Sequence, residues 1–324
     1  MNTQVWIQGM GRSGTSWLQK IMDHHPAVFS LHEPESRIPG KPTAAQREPP
    51  CSKQEMRDFA DRLFNSTDLR AVRKKPLLRK SYRSGWKHHL RVGLIHGATG
   101  IEYGLGKLGR QRHLGIPDMT DQAPALRVAK CVSSPYPFDE MVAANPHIRF
   151  VFIIRHPCAV VQSSMTGIEV GKMRRNYLPQ RSLLDRYFSF EKGIHGVTED
   201  DFSEAEIIAY RWAVYNAIAF AAGQANENVR LLKYEDLCAD PPGVAKSLFD
   251  WIGLDWHANC DDFLAPVHHQ NRDKQSYHSF NKNPIETAQK WKRDMPQHMQ
   301  DVVLSIARQS LVAQCYPEMG VATN

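Results

Sequence analysis

Uninterrupted apolar runs alternate with helix-spaced apolar positions along this chain. Val5-Trp6-Ile7 runs into Gly9 and Gly11, which predicts a short buried strand ending in a glycine turn. From Ser16 to His24, Trp17, Leu18, Ile21 and Met22 recur on one helical face, and Pro26 stops the helix. Val28 to Leu31 reads as a second short strand, and Pro34 to Pro50 as a proline-rich, charged loop. The stretch from Arg70 to Gly115, dense in glycine and cations, predicts helix pieces and loops laid over the core. Leu126–Val132 reads as a strand and Tyr136–Ala144 as a short helix. Arg149-Phe-Val-Phe-Ile-Ile154 has almost no polar alternation, the mark of a strand buried on both faces of a parallel sheet. A helix follows Pro157. Another spans Ser203 to Asn226 behind the capping box of Ser203 and Glu206. Val229–Lys233 is a strand and Pro241–Ile252 a helix, and Pro284–Gln314 holds at least one more helix, interrupted at Pro296. The alternation predicts an α/β fold with a central, mainly parallel sheet flanked by helices. Its binding crevice should lie at the carboxyl ends of the strands.

Composition narrows the picture. A chain of 324 residues with 42% hydrophobic and 23% charged residues can bury a full core, and it is read as one domain over 1–324. The formal charge is +7, yet Arg70–Gly115 alone holds twelve Lys/Arg against one acid, Glu102, a local surplus of +11. Such a field attracts anions, although a charge run also serves as a solvated face. The six cysteines are scattered without a CxxC pair, which argues against a zinc site or a disulfide scaffold and suits a reducing cytoplasm. The first residues lack a charged leader and an apolar signal core, and no stretch approaches the roughly 18–20 apolar residues of a membrane span. The expectation is a cytoplasmic protein without a membrane span.

Gly9 to Ser16 fits the spacing G-x-x-x-x-G-x-[ST] of a phosphate-binding loop, with a strand before it and a helix after. Successive backbone N–H groups in such a loop form an anion nest at a helix N-terminus. An ATPase would place lysine where this chain has Thr15, and its cation here is Arg12, inside the turn. A sulfonate carries less charge than a γ-phosphate, so Arg12, Thr15 and Ser16 suffice for it without a metal.

Gly11-Arg12-Ser13-Gly14-Thr15-Ser16-Trp17 resembles the 5′-phosphosulfate loop of sulfotransferases that use 3′-phosphoadenosine-5′-phosphosulfate. Those enzymes carry lysine in the cytosolic branch, and usually arginine in the Golgi and bacterial branches, at the position of Arg12. Arg155-His-Pro-Cys-Ala-Val-Val-Gln-Ser163 resembles the family's 3′-phosphate motif, an arginine at a buried strand's end and a serine two helical turns on. The resemblance further implies that Lys130 contacts the transferring sulfonate, that Tyr234 of Lys233-Tyr-Glu-Asp-Leu237 lies near the nucleotide, and that Asn283–Arg293 folds over it, with Lys290 and Trp291. It implies a three-layer P-loop-like fold, with the window at about 70–120 as a variable acceptor-side insertion that matches no known segment.

In the cytosolic branch a histidine two residues after the strand lysine takes the acceptor's proton, but that position is Val132 here. In the tyrosylprotein, Golgi and several bacterial branches a glutamate serves, after the first helix and an H-P pair. This chain has His25-Pro26 and then His32-Glu33-Pro34, so the resemblance names Glu33 as base. Glu35, which faces the same side if the segment is extended, and His32, by its intrinsic pKa, stay open. The expected reaction is in-line transfer of the sulfonate to a hydroxyl of a carbohydrate or small molecule, with Arg12 and Lys130 stabilising charge and adenosine 3′,5′-bisphosphate as product. The basic window mildly favours an anionic acceptor, and nucleic acid is not expected as a partner. A P-loop nucleotide kinase or NTPase and a non-catalytic nucleotide-binding protein are the rival readings.

Overall fold

A computed structural model describes residues 3–38, 52–73, 77–110, 114–132, 134, 136–187, 199–265 and 283–320. Its centre is a wholly parallel sheet of β1 (Thr3–Gly9), β2 (Val28–His32), β3 (Leu126–Lys130), β4 (Arg149–Ile154) and β5 (Val229–Lys233). The spatial order is β2-β3-β1-β4-β5, so the chain leaves β1 toward one edge and later returns to build the other. In such sheets the ligand crevice opens at the carboxyl ends beside the strand where the direction reverses. The register aligns those ends: Ile7 pairs with Lys130, His32 with Lys130, Gly9 with Ile153, and Ile154 with Lys233.

Both faces of the sheet are covered, which is why its strands read as unbroken apolar runs. Trp6, Phe150 and Phe152 belong to one core cluster, and Val5, Ile7, Val151 and Ile153 to the other. α1 (Thr15–His24) crosses from β1 to β2 and packs its apolar face into the second cluster. α2 (Lys53–Phe64) packs Phe59, Leu63 and Phe64 into the first. Its own capping box, Ser52 with Glu55, followed by Met56, Phe59, Ala60, Leu63 and Phe64 at helical spacing, is a helix start signal carried by the sequence.

α3 (Leu69–Arg73) and α4 (Gly85–Lys107) cover the β2 edge, where Leu69, Val72, Tyr82 and Ile95 meet Phe29 and Leu31. α5 (Phe138–Ala144) joins β3 to β4. α6 (Pro157–Glu169), α7 (Arg181–Tyr187) and α8 (Glu204–Ala225) lie between β4 and β5, and the Ser203–Glu206 capping box forms as expected. α9 (Tyr234–Ala239), α10 (Pro241–Ile252) and α11 (Ala258–Leu264) follow β5. α12 (Pro284–Gln289), α13 (Trp291–Asp294) and α14 (Gln297–Ala307) complete the set, with Pro296 as the break.

Two element bounds and the placement of the charge need correction. β3 stops at Lys130 and α5 starts at Phe138, each two residues inside the predicted bound. The basic window lays helix pieces over the core as expected, α3 at its start and, at its centre, one continuous helix, α4, of 23 residues. Its glycines are tolerated because a Cβ at Gly93, Gly97, Gly100 or Gly104 would meet open space. The positive surplus is also less outward-facing than the count suggests. Lys80 is buried against Asp23 at 3.2 Å and donates to the His25 carbonyl at 3.2 Å. Arg83 and Arg91 are buried, donating to the carbonyls of Asp118 and Pro117, and Lys87 pairs with Asp121 at 2.6 Å. Lys80 braces the end of α1, and Arg83, Lys87 and Arg91 brace the loop before β3, so these cations are not a free field. The predicted loop from Pro34 to Pro50 starts as a 3-10 turn over Pro34–Arg37, and its remainder from 39 on lies outside the described residues. No helix among the described residues is long and apolar enough to cross a membrane.

Candidate active site

The β1–α1 loop is fixed by a tight approach and two left-handed residues. A Cβ on Gly14 would sit 2.2 Å from the Tyr234 ring, and Gly14 has φ 93°, so only glycine fits there. A Cβ on Gly9 would lie 2.7 Å from the Ile153 carbonyl. Gly11 meets nothing nearer than Met173 at 4.0 Å, so the loop is open on that side. Ser13 N–H donates to the Met10 carbonyl at 3.1 Å and closes the turn. Thr15 begins α1, whose first-turn amides lack intrahelical acceptors and supply a positive end.

Arg12 is a non-glycine residue at φ 76°, a conformation that costs roughly 1–2 kcal/mol. Its carbonyl is held by Arg155, whose Nη1 donates to it at 2.8 Å. Arg155 Nη2 donates to the Thr287 carbonyl of α12 at 2.8 Å, and its guanidinium lies over the Tyr234 ring, 4.6 Å from the centroid. The Arg12 side chain points onward, and its Nε donates to Ser163 Oγ of α6 at 2.8 Å. Arg12, Arg155 and Ser163 thus form one connected cluster, although 151 positions separate Arg12 from Ser163. Trp17 is mostly buried and meets Tyr234 edge-on at 6.1 Å.

At the other side of β1, Lys130 Nζ contacts Glu33 Oε1 at 2.5 Å with the lysine buried. Glu33 N–H donates to the Lys130 carbonyl at 2.8 Å. Glu33 stands at φ 49°, ψ 49°, and the chain turns there into the 3-10 segment Pro34–Arg37. This kink separates Glu33 from Glu35. An extended segment would have set Glu35 beside Glu33. Instead Glu35 is wholly buried, its Oε1 accepting the Val132 N–H at 3.0 Å, and burial raises its carboxyl pKa. Glu35 is therefore not placed to meet an acceptor.

His32 is committed as well. Gln19 Nε2 donates to Ser30 Oγ and to the Leu31 carbonyl, both at 2.8 Å, so its Oε1 is left to accept from His32 Nδ1 at 2.7 Å. Nδ1 is thus engaged by Gln19, and Nε2 lies 3.5 Å from Glu33 Oε1. Gln19 has no motif that would have singled it out in the sequence.

The late segment divides. Trp291 stacks on His156 with centroids 4.2 Å apart and planes 9° apart. The His156 ring is pushed down to about 3, chiefly by burial, then by the charges of Lys292, Arg155 and Lys233. Its backbone N–H donates to Glu235 at 2.9 Å, and Glu235 also accepts from Tyr316 at 3.1 Å. His156 and Glu235, both inside the quoted motifs, are supports that sequence reasoning left unassigned. Lys290 is mostly exposed and ion-paired with Asp294 at 3.1 Å. The Arg12–Arg155–Ser163 cluster does not include it.

The loop and its clamp carry two buried polar atoms suited to an anion. Ser13 Oγ and Arg155 Nε are buried without a hydrogen-bond partner among the described residues, and both belong to the loop and its clamp. Buried polar atoms of this kind call for an acceptor, which phosphate oxygens supply. Among the described residues, no group of three or more His, Cys, Asp or Glu is placed to hold a metal ion.

A family model described as sulfotransferase family matches residues 4–258. Among solved structures, the chain is similar to the sulfotransferase domain from the curacin biosynthetic pathway, at 15% identity over 95% of this chain and 97% of that one, with TM-score 0.47. It is similar to the sulfotransferase domain of the Synechococcus PCC 7002 olefin synthase, at 16% identity over 94% and 93%, with TM-score 0.45. A mouse sulfotransferase complexed with PAP matches at 11% identity over 98% and 88%, with TM-score 0.43. No curated protein sequence matches the chain.

Proposed function

The chain belongs to the sulfotransferase family, and from that premise we propose that it transfers a sulfonate from 3′-phosphoadenosine-5′-phosphosulfate to an acceptor hydroxyl. The observation that carries this reading is the joined cluster of Arg12, Arg155 and Ser163 at the same strand rim as the Glu33–Lys130 pair. Gly11 to Ser16 cradle the phosphosulfate on backbone N–H groups and hydroxyls. Arg155 and Ser163 take the 3′-phosphate, and Trp17, Tyr234 and Trp291 flank the nucleotide. Lys290 reaches a phosphate only by leaving Asp294.

Glu33 accepts the proton of the acceptor hydroxyl as its oxygen bonds to sulfur. The bond from sulfur to the 5′-phosphate oxygen breaks in line, and its electron pair stays on that oxygen. Arg12 and Lys130 stabilise the charge that develops, so catalysis is mostly positioning and preorganised charge. A sulfate ester and adenosine 3′,5′-bisphosphate leave, and no step calls for a metal. Residues 1–324 act as one domain with residues 70–120 on the acceptor side. Because that segment turns Lys80, Arg83 and Arg91 inward, it supports a carbohydrate or small hydroxylated acceptor as readily as an anionic one.

The test is transfer from sulfur-35-labelled donor to a panel of sugars, phenols and alkyl alcohols, with EDTA and with Mg²⁺. Labelled sulfate ester formed equally in EDTA is the expected result. Phosphoryl transfer or hydrolysis of ATP with Mg²⁺, and no labelled ester, would overturn the reading.

A further inference from the structure

The side chain of Glu35 completes a parallel ladder that the main chain abandons. β2 and β3 pair up to His32 and Lys130. One step beyond, Glu33 N–H still reaches the Lys130 carbonyl at 2.8 Å. On β3, the Cys131 N–H turns toward β1 and donates to the Ile7 carbonyl at 2.8 Å. The next N–H, that of Val132, turns back toward β2. A continuing strand would offer it a carbonyl, but Glu33 has gone left-handed and Pro34 begins a 3-10 turn. Glu35 Oε1 takes the vacated place and accepts the Val132 N–H at 3.0 Å.

The same carboxyl lies against the Cys131 thiol, and no part of Glu35 is exposed. Ser36 adds its own hold, its N–H and hydroxyl both donating to the Glu33 carbonyl, at 3.2 and 2.9 Å. Glu33 is thus gripped at its N–H by β3, at its carbonyl by Ser36, and two residues downstream by Glu35 on Val132.

A left-handed glutamate persists only where the surroundings over-determine it. We infer that Glu35 is a positioning residue for the sulfonate-transfer reaction, latching the Glu33 turn to the exit of β3 so that the Glu33 carboxylate stays on Lys130. The inference rests on Glu33 being the base. It makes Glu35 act through an acceptor oxygen at a set distance, and not through its charge. Glutamine at this position keeps such an oxygen, leucine fills the volume without one, and aspartate keeps the charge but falls short of Val132.

The experiment compares wild type with Glu35→Gln, Glu35→Leu, Glu35→Asp and Glu33→Gln, using the best alcohol of the acceptor panel, or water where no alcohol reacts. The readouts are kcat, donor KM and the Kd of adenosine 3′,5′-bisphosphate, normalised to the folded fraction. Displacing a reacting group by about 1 Å costs roughly 10²-fold, so Glu35→Leu should lose about that in kcat. Its donor KM and bisphosphate Kd should stay within about twofold, and Glu35→Gln should recover to within a few-fold of wild type. If Glu35→Leu does not fold, Glu35→Asp carries the test and should be slower than Glu35→Gln.

The inference is overturned if folded Glu35→Leu keeps wild-type kcat, if Glu35→Gln is as slow as Glu35→Leu or Glu35→Asp, or if kcat and nucleotide affinity fall together. An active Glu33→Gln sinks the base assignment instead. An inactive Glu33→Gln beside a normal Glu35→Leu sinks only the latch.

Discussion

The strand rim and helix α4 are opposite ways of using polar and flexible residues. At the rim nearly every unusual residue is pinned by several partners. Arg12 at φ 76° is held through its carbonyl by Arg155 and through its side chain by Ser163, and Gly14 at φ 93° is sealed by Tyr234. In α4 six glycines sit in 23 residues, only Arg91 and Ile95 are buried, and Trp86, Ile101 and Tyr103 are exposed. Glycine in the rim is a steric requirement, whereas glycine in α4 meets open space at five positions. The rim is therefore expected to fail on small changes that α4 absorbs.

The largest effect is expected from Arg12→Ala. It removes the guanidinium that links the loop to Ser163 and, on our proposal, faces the transferring group. Removing one such donor costs about 10²–10³-fold in kcat, and the fully charged arginine should fall at the upper end. Wild-type turnover by Arg12→Ala would break the comparison at its strongest point.

Gly14→Ala comes next. Its Cβ would land 2.2 Å from the Tyr234 ring at a φ that alanine disfavours. Calorimetry should show affinity for adenosine 3′,5′-bisphosphate lowered by at least about tenfold, together with a loss of stability of about 1–3 kcal/mol.

His156 tests the rim by pH. Its folded pKa of about 3 lies below the ordinary 6.5, so the unfolded chain takes up the proton first. Its contribution to stability is complete above pH about 6.5 and lost progressively as pH falls toward about 3. Denaturant unfolding at several pH values should show His156→Phe, which can keep the stack on Trp291, escaping about 2 kcal/mol of the loss between pH ~6.5 and ~5. An unchanged acid slope would show that another group carries it. His25, lowered to about 4 mainly by burial, keeps its own share in both proteins.

The smallest effect belongs to α4. Gly97→Ala should raise stability by about 0.5–1 kcal/mol through helix propensity, with kcat unchanged. Destabilisation instead would mean that the glycine faces something that must approach closely.

What could be read in advance follows from the range of the determining contacts. β4 was legible because Phe150 to Ile154 is buried on both faces and carries no polar residue. The phosphate loop was legible because its spacing is local to a strand, a turn and a helix. α2 could have been read from Ser52 and Glu55. α4 could not, since six glycines argue against a helix and only exposure excuses them. The resemblance named Glu33, but Glu35 stayed open in the sequence, because only the backbone angle at residue 33 sends the second carboxyl inside. The contact from Arg12 to Ser163 joins positions that only the fold brings together.

The proposal that the rim is built for a nucleotide with a 3′-phosphate is tested most directly by calorimetry with adenosine 3′,5′-bisphosphate, adenosine 5′-monophosphate and ATP with Mg²⁺. On this proposal Arg155 and Ser163 give the 3′-phosphate charge-assisted hydrogen bonds, each contributing about 1.5–3 kcal/mol. The bisphosphate should therefore bind about 10²-fold or more tightly than the monophosphate, with ATP and Mg²⁺ weaker than the bisphosphate. Equal binding of the two adenosine phosphates, or preference for ATP with Mg²⁺, would contradict the account.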